Sequence, residues 1–60
     1  MYEKLKKELE AQNISRYKLS KMTGIQHTHI YPAIDGKIPM YDGWKRRIAE
    51  ALGKAEEDLF

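Results

Sequence analysis

The 60-residue chain predicts an all-α fold of five short helices. Three observations predict it. Apolar residues recur at helical spacing, each such run is cut short by Asn, Gly or Pro, and no stretch alternates as one face of a strand does.

Residues 2–12 read as an amphipathic helix, with Tyr2, Leu5 and Leu9 at i, i+3 and i+7 and mainly Lys and Glu between them. Asn13 is a plausible left-handed stop. Ser15 is a good N-cap for a second helix over about 16–23, in which Leu19 and Met22 face inward and Arg16, Lys18 and Lys21 face water. Gly24 ends that helix, because a positive φ is needed where one helix stops and another starts within a few residues. Gln26 caps a third helix whose inward positions are Ile30 and Ala33, with Ile34 as a further candidate. Asp35 to Pro39 reads as a loop, with Gly36 closing the helix and Pro39 blocking its extension. A fourth helix over about 41–52 presents Trp44, Ile48, Ala51 and Leu52 as one stripe, with Trp44 as a core anchor. Gly53 ends it, and Ala55 to Phe60 make a last turn that delivers Leu59 to the core.

Length and composition set further bounds. Residues 1–60 suffice for a single domain, which at this size buries only about 60% of the surface exposed on unfolding. The absence of Cys excludes a disulfide framework and a thiolate zinc site. No apolar run approaches the roughly 20 residues that span a bilayer, and no signal-peptide core follows Met1. The expectation is a soluble, cytoplasmic protein without a membrane partner. The net charge of +2 is unevenly spread. Residues 1–14 balance; residues 15–47 carry seven cations against Asp35 and Asp42, a net +5; residues 48–60 carry Lys54 against four carboxylates, a net −3. A polyanion is steered to the middle of such a chain.

That middle holds the most informative segment, Ser15 to Gly36. Two short helices meet at a tight turn, Gly24-Ile25, and hydrogen-bonding side chains open the second, an arrangement that places a helix in the major groove of DNA. Counted from a cap at Gln26, the first, second, fifth and sixth positions share one face. They are His27, Thr28, Tyr31 and Pro32, opposite Ile30 and Ala33. His donates to guanine, Thr bonds a base or touches a thymine methyl, and Tyr reaches a phosphate or base edge. Arg16 opens the second helix, where side chain and backbone N–H both suit a phosphate. Lys37, Tyr41 and Lys45 are candidates to grip the backbone on the other side. His27 and His29, two apart on a helix, point about 200° from each other and cannot chelate one ion. No metal, cofactor or small-molecule ligand is expected. Nor is an enzyme, since no nucleophile–base pair stands at suggestive spacing and the chain is short for a deep pocket.

Leu19 and Ser20, Gly24-Ile25, Ile30, Gly36-Lys37, the run Ile48-Ala49-Glu50-Ala51-Leu52-Gly53 and the ending Asp58-Leu59-Phe60 together resemble the lambda-repressor/Cro, or XRE-like, helix-turn-helix family over essentially the whole chain. The resemblance implies a compact five-helix domain with its helix-turn-helix at about 16–35. It also implies sequence-specific binding of double-stranded DNA by a small prokaryotic or phage-type transcriptional regulator, a repressor for example, as a homodimer on a near-palindromic operator. Ser20 stands where the family usually has Ala, and Arg16 where it usually has a phosphate-binding Gln. Pro32 departs further: it falls inside the recognition helix, at a position where family members often carry a base-reading side chain, and removes a backbone donor. Either readout is confined to His27, Thr28 and Tyr31, or the helix is kinked. The loop 37–43 also places its Pro one residue early. Phe60, beside acidic residues, is a dimerisation candidate or folds back on the domain. The alternative reading is a protein–protein interaction module, antitoxin-like or antirepressor-like, using the same fold.

Overall fold

The computed structural model describes residues 2–60. Its elements in chain order are α1 (Glu3–Ala11), α2 (Arg16–Thr23), α3 (His27–Ile34), α4 (Asp42–Leu52) and α5 (Glu56–Leu59). Among the described residues there is no strand. All five helices surround one apolar cluster, in which Leu5, Leu19, Ile30, Ile34, Ile48 and Leu59 are the largest fully buried side chains. α2 packs against both α3 and α4, and α5 packs against α1 and α4.

Local signals start and stop the helices. Asn13 takes φ +56°, and the N–H groups of Asn13 and Ile14 bond the carbonyls of Glu10 and Leu9 at 3.0 and 2.8 Å. This paired closure satisfies two end carbonyls of α1 and turns Ile14 back onto the core. The Ser15 hydroxyl accepts from the Lys18 N–H at 3.1 Å, capping α2.

The junction between α2 and α3 is built from four residues. Gly24 adopts φ +75°, and its N–H bonds the Ser20 carbonyl at 2.9 Å. The Thr23 hydroxyl donates to the Leu19 carbonyl at 2.9 Å and accepts from the Ile25 N–H at 3.3 Å. Ile25 is then buried in the core. Ser20 is buried too, and its hydroxyl donates to the Tyr17 carbonyl at 2.7 Å, so the small polar side chain leaves no unmet bond.

α3 runs through Pro32 to Ile34. Pro32 cannot donate to the Thr28 carbonyl, but Ile30, Ala33 and Ile34 are all fully buried and hold the helix in place. Its C-terminus closes at Gly36, whose N–H bonds the Ala33 carbonyl at 3.2 Å, while the Lys37 N–H bonds that of Pro32 at 2.9 Å.

Three inward assignments need correction. Met22 is 43% exposed, because Leu19 and Ser20 occupy the buried side of α2 and half-buried Thr23 takes the next inward place. Met22 instead lies on a groove rim with Arg47 and Glu50. In α4 the buried alanine is Ala49, while Ala51 is only half-buried. Trp44 is half-buried rather than a central anchor; Met40, at the end of the preceding loop, is buried in the core.

The C-terminal end folds back on the domain. Leu59 is buried, and the half-buried Phe60 ring meets Tyr2 edge-on at 5.4 Å. The Gln12 amide donates to the Leu52 carbonyl at 3.0 Å, tying the end of α1 to the end of α4.

Two stability measurements follow from this packing. An added Cβ at Gly24 meets nothing within 4 Å, so substitution there strains only the backbone. Gly24→Ala is expected to cost about 1–2 kcal/mol and Gly24→Lys the same, with Gly24→Asn costing less; thermal melts that rank the three by side-chain size would contradict this. Leu59→Ala is expected to cost about 2–5 kcal/mol although Leu59 sits in a four-residue helix. A melt unchanged by Leu59→Ala would show that α5 is not part of the cooperative unit.

Candidate nucleic-acid interface

The tight junction exposes the start of α3. Gln26 caps the helix through its backbone: its carbonyl accepts from the N–H groups of His29 and Ile30 at 2.9 and 3.0 Å. The Gln26 side chain makes no capping bond. Gln26, His27 and Thr28 are all exposed. They line a shallow groove completed from α2 by Tyr17, Ser20 and Lys21 and from the turn by Gly24 and Ile25. The groove carries hydrogen-bonding side chains and one ammonium group, with no carboxylate among its lining residues.

One flank of α3 is a continuous row of rings and charges. The His27 and Tyr31 rings, one helical turn apart, have centroids 5.9 Å apart. The Arg16 guanidinium lies 5.9 Å from the centroid of half-buried Tyr31. Arg16 grips Asp35 with both terminal nitrogens, Nη2 to Oδ1 at 3.0 Å and Nη1 to Oδ2 at 3.3 Å. Arg16 is therefore a held cation rather than a free one, and Tyr31 is a backing ring as much as an outward reader.

The other side of α3 meets the start of α4 through a second set of rings, of which the sequence pointed to Tyr41 for this surface but not to His29 or Trp44. The His29 and Trp44 centroids are 6.1 Å apart, and Tyr41 meets Trp44 edge-on at 4.7 Å. Tyr41 itself is 56% exposed. The chain His29, Trp44, Tyr41 thus ties an exposed phenol to the recognition-helix candidate. His27 and His29 turn to different neighbours, as their two-residue spacing requires.

Lys37 is exposed just past the α3 closure. Lys45 is not grouped with it: Lys45 is half-buried, and its ammonium lies 5.7 Å from the centroid of Phe60, toward the C-terminal end. Of the eight candidate residues, Gln26, His27 and Thr28 share the groove, and Arg16 and Tyr31 share the adjoining flank. Lys37 and Tyr41 lie beyond the end of α3, and Lys45 faces elsewhere. Sequence reading missed Tyr17 and Lys21 as groove residues. Lys21 Nζ lies 5.3 Å from the Tyr17 ring centroid, and their four-residue spacing on a short helix was the available signal.

No protein-family model matches the chain, and neither a curated protein nor a solved structure matches it.

Proposed function

We propose that the chain is a sequence-specific, double-stranded-DNA-binding domain of a small prokaryotic or phage-type transcriptional regulator, of the lambda-repressor-like helix-turn-helix kind. α3 would enter the major groove with Gln26, His27 and Thr28 toward the base edges. The observation that carries this reading is the α2–α3 junction. Two eight-residue helices meet at a left-handed Gly24 and leave an exposed, carboxylate-free groove at the start of α3.

The flanking side chains fit backbone contacts. Arg16, held on Asp35, and Lys37 both lie at the C-terminal end of α3, and exposed Tyr41 sits at the N-cap of α4. Backbone contacts of this kind fix register, while the groove residues read sequence. Pro32 supplies no polar group at the sixth position, which leaves readout to the first turn and Tyr31. Family-like pairing of two copies on half-sites about one helical turn apart belongs to the same proposal. Phe60 is a poor candidate for the contact between copies, since it packs on Tyr2.

The test is a two-dimensional NMR titration of labelled protein with a short mixed-sequence duplex at low salt, repeated near ~0.3 M salt. Salt-sensitive shifts at Arg16, Gln26 to Tyr31, Lys37 and Tyr41 support the proposal and warrant selection of an operator from a random pool. Absence of localised shifts, or shifts confined to residues 54–60, favours a protein-interaction module instead.

On a selected operator, His27→Ala and Thr28→Ala are each expected to cost about 1–3 kcal/mol and relax preference at one base pair. Lys37→Ala is expected to weaken binding to all sequences alike and to reduce the salt slope by about one. Lys45→Ala should leave that slope unaltered, because its ammonium faces Phe60. A slope that changes for Lys45→Ala and not for Lys37→Ala would reverse the assignment of the two lysines.

A further inference from the structure

Arg16 and Asp35 each stand at the helix end that disfavours them. Arg16 is the first residue of α2, where the helix dipole is positive; Asp35 is the C-cap of α3, where it is negative. Neither charge is favoured by its own helix. Each is met by the other, 19 residues along the chain, through the two-pronged contact at 3.0 and 3.3 Å. The pair is part-exposed, 40% and 31% by side chain; two-pronged geometry is the favourable case for a surface ion pair, but solvent at both partners screens it. The pair links the start of α2 to the end of α3, and the same contact fixes where the guanidinium points.

On the double-stranded-DNA reading above, we infer that Asp35 is a specificity-determining positioning residue: an internal anion that holds and neutralises Arg16 until a phosphate arrives in register. The carboxylate occupies the terminal nitrogens that an unheld arginine offers to any phosphate, and the Tyr31 ring backs the guanidinium. The Nε–H and the outer N–H of each terminal nitrogen remain as donors. A duplex in arbitrary register meets a pair with no net charge and gains nothing from it. A duplex whose phosphate reaches the outer edge of the fork gains a pre-oriented contact. Asp35 thus lowers non-specific affinity more than specific affinity, which raises the ratio that decides occupancy of a site.

The test compares wild type, Asp35→Asn, Arg16→Ala and the double variant. Each is titrated with a labelled mixed-sequence duplex by fluorescence anisotropy between about 50 and 200 mM salt. Asn is also tolerated at the end of a helix, and thermal melts confirm folding; Asp35→Ser is the parallel variant should Asn perturb the fold. Asp35→Asn is expected to bind the mixed-sequence duplex more tightly. Its salt slope should steepen by about one phosphate contact, or roughly a threefold larger loss of affinity over that range. In the Arg16→Ala background the same substitution should leave the slope unchanged.

An unchanged slope for Asp35→Asn in the wild-type background overturns the inference. So does a steepening that survives in Arg16→Ala, which would mean that Asp35 merely repels DNA. If none of the forms binds the duplex, the DNA reading fails and this role fails with it. If wild type binds and only the Asp35 effect is missing, the DNA reading stands alone.

Discussion

The left-handed turn at Gly24 governs what the middle of the molecule can present. An eight-residue helix is too short to persist by itself in water, so α2 and α3 must be stabilised from outside. Gly24 returns the chain in one residue, Thr23 satisfies the Ile25 N–H, and Ile25 drops into the core beside Leu19 and Ile30. With that geometry held, the inward faces of both helices are committed, and Gln26, His27 and Thr28 have only the outside left to them. The exposed groove is a consequence of the turn, independent of any ligand.

α3 shows how tertiary packing overrides propensity. A proline at its sixth position removes one of few backbone bonds, yet the helix continues to Ile34. Burial of Ile30, Ala33 and Ile34 and the paired closure at Gly36 outweigh the missing donor. Ring contacts then brace the helix on both sides: Tyr31 against His27 and Arg16, His29 against Trp44. A helix braced in this way has less conformational freedom to lose in any binding event.

Charge is managed in pairs rather than as a uniform basic field. Arg16 is held by Asp35; Lys54 approaches Glu8 at 3.9 Å; the Lys45 ammonium lies near a ring face. The seven cations of residues 15–47 are therefore not equally available to a polyanion on the α3 side: Arg16 is held by Asp35 and Lys45 lies beside Phe60. Lys21 and Lys37 are the exposed lysines placed beside the groove and just beyond the end of α3.

Local chemistry made the helix boundaries legible. Ser15 caps α2 because its hydroxyl reaches an N–H three residues on, and Asn13, Gly24, Gly36 and Gly53 follow helices because they tolerate positive φ. Periodicity likewise identified Leu5, Leu9, Ile30, Ala33, Ile34, Ile48, Leu52 and Leu59 as inward, and exposed His27 and Thr28 opposite them. Legibility ended where a side chain's direction depends on residues far along the chain. Met22 and Thr23 compete for the same edge of α2, and the packing of α2 on α3 and α4 decides between them. Arg16 reads as an unpaired cation until α3 brings Asp35 within 3.0 Å, and so does Lys45 until α5 places Phe60 beneath its ammonium. Helix periodicity determines which residues are inward; the flexible stems of Arg, Lys and Met are aimed only by neighbours that the fold supplies.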